Sequence, residues 1–421
     1  MQKDHVKKTI TQEELAQAFT GEVAMPAEKT KKKSKISERT LAIFLIVGVV
    51  LLTAGCAMLA FGILNLGESA SDVEYPDLKA EKDAQKYYSP LTGQSIETES
   101  DVTAPIYCIQ TPNGTDGARP QAGLNQAGVI FEAIAEAGIT RFAAIYQNPT
   151  SSVIGPIRSL RIYYLEWDTP FDCTIVHAGG SGDALAAVSD GGYKDLTEDY
   201  TYMYRGTSGS RLWNNLFTTA SNLKRFSSDR GYDKSEAKGF ARMTPDESQK
   251  ARVDEQVSEK LVITKPAKGN TSELKPTVTT IGLRFGGLPN YNVDYAYDAN
   301  SNTYHRSYQS GVAHEVYNCP PDDLGEKNPE SVCSLVQMAP TVVVAMVVSE
   351  HRASDNYHED ITAIGSGDAY IFQNGGVKQG TWKKASREAQ IEFVNTNGES
   401  IKLAPGQTII SAVPTYGSVD F

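Results

Sequence analysis

The distribution of hydrophobic positions divides the chain into segments with different predicted structures. Residues 41–64 (LAIFLIVGVVLLTAGCAMLAFGIL) contain no charged side chain. A helix of about 20 apolar residues is long enough to cross the hydrocarbon core of a bilayer. The preceding segment, Lys29–Arg39, is strongly basic, and basic residues favour the cytoplasmic side. We therefore predict a cytoplasmic basic tail over 1–40, a transmembrane signal-anchor over 41–64 and an extracytoplasmic remainder.

An apolar segment of this kind has two other interpretations. A cleaved signal peptide is disfavoured for two reasons. The apolar region of a signal peptide is usually about 7–15 residues long, which is shorter than the segment 41–64, and this chain has a long polar leader before the segment, which signal peptides lack. Leu52–Cys56 (LTAGC) resembles a lipoprotein signal, in which Cys56 would carry the lipid and become the new N-terminus. The apolar residues Ala57–Leu64 that follow favour the uncleaved anchor. The anchor and the lipoprotein interpretations both place the globular part outside the cell and tether it to the membrane.

After a polar spacer over 65–88, short apolar runs alternate with glycine-rich turns. Segments rich in strand-forming residues alternate with segments whose apolar residues recur at helical spacing, which indicates an α/β layer arrangement. We predict an α/β ectodomain over 89–259. Its predicted strands are Ala104–Gln110, Ile139–Gln147 and Cys173–His177, and its predicted helices are Leu124–Ala137, Ile157–Trp167 and Ser181–Ser189.

The segment 260–421 contains short strands without long helical stretches, and turns such as Asn374–Gly376 separate several of them. We predict a mostly antiparallel, β-rich second ectodomain here and an α+β fold class for the chain. Its predicted strands are Thr277–Phe285, Val293–Asp298, Thr303–Tyr308, Thr341–Val348, Ala369–Gln373, Gly376–Trp382 and Thr408–Ala412.

The formal net charge of the chain is −11, and the basic flank lies on the cytoplasmic side of the predicted anchor. An acidic ectodomain disfavours nonspecific binding to nucleic acid and to anionic lipid or wall polymers. Local arginine clusters can still bind anions. We therefore expect contact with the membrane through residues 41–64 and no nucleic-acid partner, and the sequence indicates no particular protein partner.

Four cysteines lie outside the predicted anchor, and cysteines of exported proteins usually form disulfides in pairs. Cys319 and Cys333 bracket a polar, proline-rich insertion, so we predict a disulfide between them. Cys108 and Cys173 each lie in a short apolar run and either form a second disulfide or remain small buried thiols. No cysteine or histidine spacing is typical of a zinc site, and we expect neither a metal nor a cofactor.

Two arginines and a glycine-rich turn are the first candidates for ligand binding. Arg158 and Arg161 follow Pro156, which favours the first turn of a helix, where guanidinium groups suit phosphate or carboxylate ligands. The alternative is a pair of structural ion pairs. His177 ends a strand and precedes Gly179–Ser181, a turn whose backbone amides can hold an anion.

Glu132 and Glu136 are four residues apart on the predicted helix, so both carboxylates would lie on one face. Arg141 follows on the next predicted strand. Two carboxylates suit acid–base chemistry, but we favour a buried glutamate–arginine network. The histidines of the second domain show no regular metal-site spacing, and we interpret them as surface or turn residues; they include His314, His351 and His358.

Several consecutive segments together resemble the YerB-type lipoprotein family of bacteria. They include SPLTG, ARPQAGL, IFEAIAEAGITRF, IGPIRSLRIYY, VHAGGS, GSGDAYIFQNGGVKQGTWKK and LAPGQTIISAVP, and they span roughly Ser89–Pro414. The resemblance implies an exported, membrane-tethered protein with two domains and implies no particular reaction. This chain has Leu212–Leu216 (LWNNL) where the family tends to have Pro-His-Asn-Leu, so it lacks that histidine.

Our leading hypothesis is a membrane-anchored extracytoplasmic cell-envelope protein that binds an anionic envelope ligand. The predicted pocket contains Arg119, Arg158, Arg161, His177, Gly179, Gly180 and Ser181, with Glu132 and Arg141 nearby. A second hypothesis is a cell-wall hydrolase or transferase that acts on glycan or on a phosphorylated lipid carrier, using Glu132 or Glu136 with His177. A third is a scaffold for another membrane protein. The sequence does not decide whether the protein is an enzyme.

Overall fold

Strands that are apolar along their whole length form the centre of the structure, a computed structural model. Val342–Val348 (VVVAMVV) is almost entirely buried, as expected of a strand that is covered on both faces. The structure describes residues 87–206, 214–252, 278–321 and 332–421, which lie within one compact unit. The predicted cytoplasmic tail, the predicted anchor and almost all of the predicted spacer lie outside these ranges. Within the ranges, no helix is both long and apolar enough to cross a membrane.

The first part of the described chain contains short strands and all five labelled helices. The strands are β1 (Tyr87–Tyr88), β2 (Ser95–Ile96), β3 (Ile106–Pro112), β4 (Val129–Glu136), β5 (Ile139–Gln147), β6 (Thr174–Val176), β7 (Asp195–Leu196), β8 (Met203–Arg205) and β9 (Leu216–Thr218). The helices are α1 (Glu99–Val102), α2 (Ile162–Asp168), α3 (Gly182–Gly191), α4 (Ala220–Arg230) and α5 (Pro245–Ala251).

The second part is almost entirely β, which makes the described chain α+β with strands predominating. Its strands are β10 (Thr280–Arg284), β11 (Val293–Asp298), β12 (Thr303–Tyr308), β13 (Glu315–Asn318), β14 (Ser334–Gln337), β15 (Val342–Val348), β16 (Glu350–Arg352), β17 (Glu359–Ile361), β18 (Gly365–Gln373), β19 (Gly376–Lys384), β20 (Glu392–Val394), β21 (Thr408–Pro414) and β22 (Ser418–Asp420).

Both parts contribute strands to one ten-stranded mixed sheet with the order β20-β19-β18-β15-β21-β4-β5-β3-β6-β7. The parts meet where β21 pairs in parallel with β4, so that Thr408 lies opposite Val129 and Ser411 opposite Glu132. The pair β15–β21 is also parallel. The expectation of a mostly antiparallel second part therefore holds for β10–β12 and β18–β20 and is wrong at these central strands.

Alternate residues of the central strands face different cores. One face of the large sheet packs with α2, where Phe131, Trp167 and Val344 belong to a single cluster. The opposite face is covered near β4 and β5 by α4, and near β15 by the antiparallel sheet β12-β11-β10-β22. Because both faces are covered, the strands carry apolar residues at consecutive positions instead of alternating ones.

The predicted helix over Leu124–Ala137 is wrong, because its second half is the strand β4. Ile130 and Ile134 are four residues apart, a spacing that fits one face of a helix and also one face of a strand. Pairing with β5 and β21 decides between them. Of the predicted helix, only the 3₁₀ turn Leu124–Gln126 has helical geometry.

The predicted helix over Ile157–Trp167 begins later than expected, at Ile162. The preceding residues are extended and bind neighbouring segments, because the Ile157 amide donates to the Leu216 carbonyl and the Arg158 amide to the Gln110 carbonyl. These hydrogen bonds keep the backbone extended, so the helix begins only after them. Arg158 therefore lies outside any helix, and Arg161 occupies the N-cap position of α2.

Both predicted disulfides are confirmed. Cys108 on β3 is bonded to Cys173, which immediately precedes the neighbouring strand β6, with 5.8 Å between the Cα atoms. The alternative of free buried thiols at Cys108 and Cys173 is therefore wrong. Cys319 is bonded to Cys333, as predicted. Most of the insertion between Cys319 and Cys333 lies outside the described residues.

Candidate functional site

The arginine-containing segment before α2 runs beside the glycine-rich turn after β6. The Ala178 amide donates a hydrogen bond of 3.0 Å to the Arg158 carbonyl, and the Leu160 amide donates one of 2.9 Å to the Gly179 carbonyl. The Ser181 amide donates in turn to the Leu160 carbonyl at 3.1 Å. These backbone bonds hold the predicted arginines next to the predicted anion-binding turn.

The glycine-rich turn is open on its outer side. Gly179 has a φ of +67° and is exposed, and a Cβ atom at Gly179 or at Gly182 would meet no atom within 4 Å. The first amides of α3, which follow this turn, have no acceptor within the helix. Ser181 occupies the N-cap position but its side chain makes no capping bond. The Ser181 amide donates to the Leu160 carbonyl and the Ala184 amide to Asp183 Oδ1, so the turn offers only its remaining amides, such as that of Gly182, beside open space.

Arg161 and Arg141 share one carboxylate. Arg141 Nη2 and Arg161 Nη2 each donate to Glu136 at 2.7 Å, one to each carboxylate oxygen. Burial raises the pKa of Glu136, but the charges of Arg141 and Arg161 outweigh burial and hold this pKa below its usual value. The triad keeps two guanidinium groups fixed at the end of β4.

Arg158 differs from these two arginines because its guanidinium has no hydrogen-bond or ion-pair partner among the described residues. It is half-buried, and its charge also helps to lower the pKa of Glu136, so it lies near the triad. A positively charged group that is held near the turn without a protein partner is suited to bind an anion from solution.

His177 is engaged by protein groups at both ring nitrogens. Nδ1 lies 2.7 Å from the Gly179 carbonyl oxygen, and Nε2 lies 2.8 Å from Asp195 Oδ1. Because a carbonyl oxygen can only accept, Nδ1 carries a proton. His177 is buried and shapes the turn, and neither ring nitrogen is free to contact a ligand.

A cavity of about 530 Å³, here called the first cavity, lies between this region and the hairpin formed by β16 and β17. Arg161, Ser181 and Gly182 line one wall, and His351, Asp355 and His358 line the other, together with neighbouring acidic residues. The hairpin is held there partly by an isolated antiparallel β-bridge, a backbone pairing between Glu136 at the end of β4 and His358. The size lies within the range of small-molecule sites.

Two buried polar atoms on the arginine wall of the first cavity have no hydrogen-bond partner among the described residues, namely Ser181 Oγ and Arg161 Nε. Buried polar groups are normally satisfied, so such atoms are candidates for contact with a ligand or water. On the opposite wall, Asp355 accepts bonds from the amides of Tyr357 and His358 and from the His358 ring, which lowers its pKa to about 2. Its carboxylate is therefore charged at neutral pH.

Glu132 and Arg119 belong to a different, buried network on the other face of β4. Arg306 Nη2 donates to both carboxylate oxygens of Glu132, at 2.8 and 3.0 Å. Arg306 Nη1 also donates to His314 Nδ1 at 2.9 Å. The guanidinium of Arg119 lies 3.7 Å from the ring centre of Tyr308, and its Nε donates to Asn113. This network joins the two parts of the chain.

The chain matches two adjacent family models. Residues 91–233 match the model described as protein of unknown function (DUF3048) N-terminal domain, and residues 281–410 match the corresponding C-terminal domain. The chain belongs to the DUF3048 family.

Two comparisons with a single relative extend this match. The DUF3048 chain is 27% identical over 337 residues to the Bacillus subtilis (strain 168) protein named "Putative lipoprotein YerB", covering 79% of this chain and 87% of that one. The crystal structure of YerB from Bacillus subtilis superposes with a TM-score of 0.61 at 24% identity and covers 80% of this chain and 100% of the other. Together with the family models, the first comparison confirms the resemblance to YerB-type proteins that the sequence indicates. The second comparison supports the fold.

The residues predicted for one pocket of this DUF3048 protein fall into two groups. Arg158, Arg161, Arg141 and the segment His177–Ser181 lie together near the first cavity, whereas the contacts of Arg119 and Glu132 belong to the other network, named above. His314, interpreted as a surface or turn residue, is buried, and that interpretation is wrong.

Sequence reasoning missed the residues of the opposite wall. His351, His358 and Glu359 belong to a polar stretch without regular spacing, which gave no signal of its own. Pairing of β16 with β17 brings them together, and the isolated β-bridge between Glu136 and His358 places the hairpin against the end of β4. A search for polar residues on both sides of a short hairpin turn would have found them.

Proposed function

We propose that this DUF3048 protein is an extracytoplasmic protein of the cell envelope, held at the membrane by residues 41–64. The uncharged run with its basic flank supports this topology. Two disulfides support an oxidising compartment, because cytosolic proteins rarely keep such bonds. The name of the relative, which describes it as a lipoprotein, supports a membrane tether. If a lipid attached to Cys56 were the anchor instead, the globular part would still lie on the outer side of the membrane.

The proposal assigns ligand binding to the first cavity and the adjacent turn. The observation that carries it is the combination of two neighbouring features. Arg158 has no side-chain partner among the described residues, and its carbonyl is bonded to Ala178 at the open turn. Arg161, Ser181 and Gly182 line the first cavity beside that turn. An anionic group of the ligand would bind at Arg158 and at the amides of the turn, because both offer positive charge or donors.

The rest of the ligand is expected to be neutral and rich in hydroxyl groups. Four carboxylates line the cavity, and they would repel a polyanion while accepting hydrogen bonds from hydroxyl groups. They are Asp183, Asp355, Glu359 and Asp360. A fragment of wall glycan that carries a single acidic group has both properties.

The enzymatic hypothesis with Glu132 or Glu136 as acid or base has weaker support. Glu132 is bonded to Arg306, and Glu136 to Arg141 and Arg161, so each carboxylate is held by arginine. The ring nitrogens of His177 are also engaged. Arg141 and Arg161 lower the pKa of Glu136, and a base with a lowered pKa is a poor proton acceptor. Binding is therefore the function that the contacts favour.

Titration calorimetry with the full-length chain and a disaccharide fragment of wall glycan that carries a carboxylate tests this proposal. Arg158→Ala should weaken binding about tenfold or more, because a charge-assisted hydrogen bond contributes roughly 1.5–3 kcal/mol. Arg230→Ala is the matched control, because it removes an exposed arginine on α4. Equal affinity of the wild type and Arg158→Ala would contradict the proposed site, and absence of binding would contradict the proposed ligand.

A further inference from the structure

Another cavity, of about 600 Å³ and here called the α4 cavity, lies beside α4. Its other walls include the start of β3 and the turn 148–150 after β5. The helix α4 covers the face of the large sheet opposite to α2, and no residue lines both this cavity and the first cavity. The volume lies within the range of small-molecule sites. The α4 cavity is therefore a candidate site separate from the first cavity.

Two buried residues that line the α4 cavity leave one hydrogen-bond donor unused. The Tyr107 hydroxyl lies 3.0 Å from Ser227 Oγ, and either oxygen can be the donor of this bond. Each hydroxyl carries one proton, so a single bond between them uses one of the two protons. Neither oxygen has a further partner among the residues that the structure describes, although both residues are almost completely buried. Buried donors are normally satisfied, so the second proton indicates an acceptor from a ligand or water.

Two side chains of opposite charge, Lys224 and Asp233, also line the α4 cavity. Within the described ranges, neither side chain forms a hydrogen bond or an ion pair, either with the other or with a third residue. Burial raises the pKa of Tyr107, and the charge of Asp233 raises it further, so the carboxylate lies near the hydroxyl pair. A cation and an anion that line one cavity without neutralising each other suit a ligand that carries both charges.

We propose that the α4 cavity binds a short peptide with free termini, with the peptide carboxylate at Lys224, the ammonium group at Asp233 and a peptide carbonyl at the Tyr107–Ser227 pair. A free amino acid carries both charges on one carbon atom, whereas Lys224 and Asp233 are not close enough to pair with each other, and a peptide separates its terminal charges. Pro105, Pro149 and Ala220 supply apolar surface for small side chains. Asp233 disfavours a polyanion, and Lys224 disfavours a polycation.

Titration calorimetry with the full-length chain and trialanine tests this inference. Two capped peptides of the same sequence each remove one charge, because N-acetyl-trialanine lacks the ammonium group and trialanine amide lacks the carboxylate. We expect trialanine to bind and each cap to weaken the binding about fivefold, which is the upper end of what an ion pair with an exposed side chain contributes.

Two variants assign each peptide terminus to its side chain. Lys224→Ala should abolish the preference for trialanine over its amide and keep the preference over the acetylated peptide. Asp233→Asn should have the reverse effect. Lys250→Ala is the matched control, because it removes an exposed lysine of α5 that does not line the α4 cavity. Circular dichroism melting curves establish that each variant is folded.

Three results would overturn the inference. They are the absence of trialanine binding at millimolar concentrations, equal affinities for the free and the capped peptides, and preferences that survive in both Lys224→Ala and Asp233→Asn. Alanine that binds as tightly as trialanine would overturn the assignment to a peptide. None of these results affects the first cavity, because the dependence of glycan binding on Arg158 is measured separately.

Discussion

At the scale of single residues, Arg306 determines the state of its neighbours. Arginine can only donate hydrogen bonds, so His314 Nδ1 must accept from it, and the ring proton lies on Nε2, which donates to Gln121 Oε1 at 3.1 Å. The same guanidinium neutralises Glu132, which is fully buried. The sequence contains these residues far apart, and nothing in their local patterns indicates that they meet.

His314 should make the stability of the protein depend on pH. Burial, followed by the charges of Arg306 and Arg119, lowers the pKa of His314 well below its ordinary value. The unfolded chain therefore binds a proton below about pH 6.5 that the folded chain does not bind. Stability contributed by the neutral ring is present above that pH and falls as the pH is lowered toward the folded pKa.

The variant His314→Gln isolates this effect, because glutamine can still accept from Arg306 but does not titrate. Between pH 7 and pH 5, the wild type should lose about 2 kcal/mol more unfolding free energy than the variant. Denaturant titrations at both pH values measure the difference. Parallel pH dependence of the two proteins would show that His314 titrates equally in the folded and unfolded states.

At the scale of elements, the bounds of several short strands were predictable, but the strands and helices that pack against them were not. The predicted bounds of Ile139–Gln147, Val293–Asp298 and Thr303–Tyr308 coincide with those of β5, β11 and β12. The strand β4 was misread because the four-residue spacing of Ile130 and Ile134 fits one face of a helix as well as one face of a strand. Its bulge between Ile134 and Glu136 also turns Glu136 toward Arg141 and Arg161, which no local pattern indicates.

The two disulfides should differ in their contribution to stability. The cysteines of the bridge next to β3 and β6 are 65 positions apart, whereas Cys319 and Cys333 are 14 apart. If the bridges act mainly by restricting the unfolded chain, they contribute roughly 4 and 3 kcal/mol, respectively. Cys108→Ala/Cys173→Ala should therefore lower the unfolding free energy more than Cys319→Ala/Cys333→Ala in denaturant titrations. The reverse order would indicate that native-state packing, and not loop length, determines their effects.

At the scale of the whole molecule, the N-terminal and C-terminal DUF3048 segments contribute strands to the same sheet. The parallel pair β21–β4 and the bond from Ser411 Oγ to Glu132 join residues 279 positions apart. Sequence periodicity reports only local geometry, so it indicated two regions that differ in secondary structure and gave no information on how their strands pair. The candidate site was predictable only in part. Its arginines and its glycine-rich turn are local motifs, whereas its opposite wall comes from a hairpin that is distant in the sequence.

The central claim is that the groove between the Gly179–Gly182 turn and the β16–β17 hairpin binds an envelope glycan. A crystal structure with a bound acidic disaccharide of the wall glycan tests it most directly. We expect ligand density in the first cavity, with the acidic group at Arg158 and the turn. Density at any other surface, or an empty first cavity at a ligand concentration that saturates binding in solution, would contradict it.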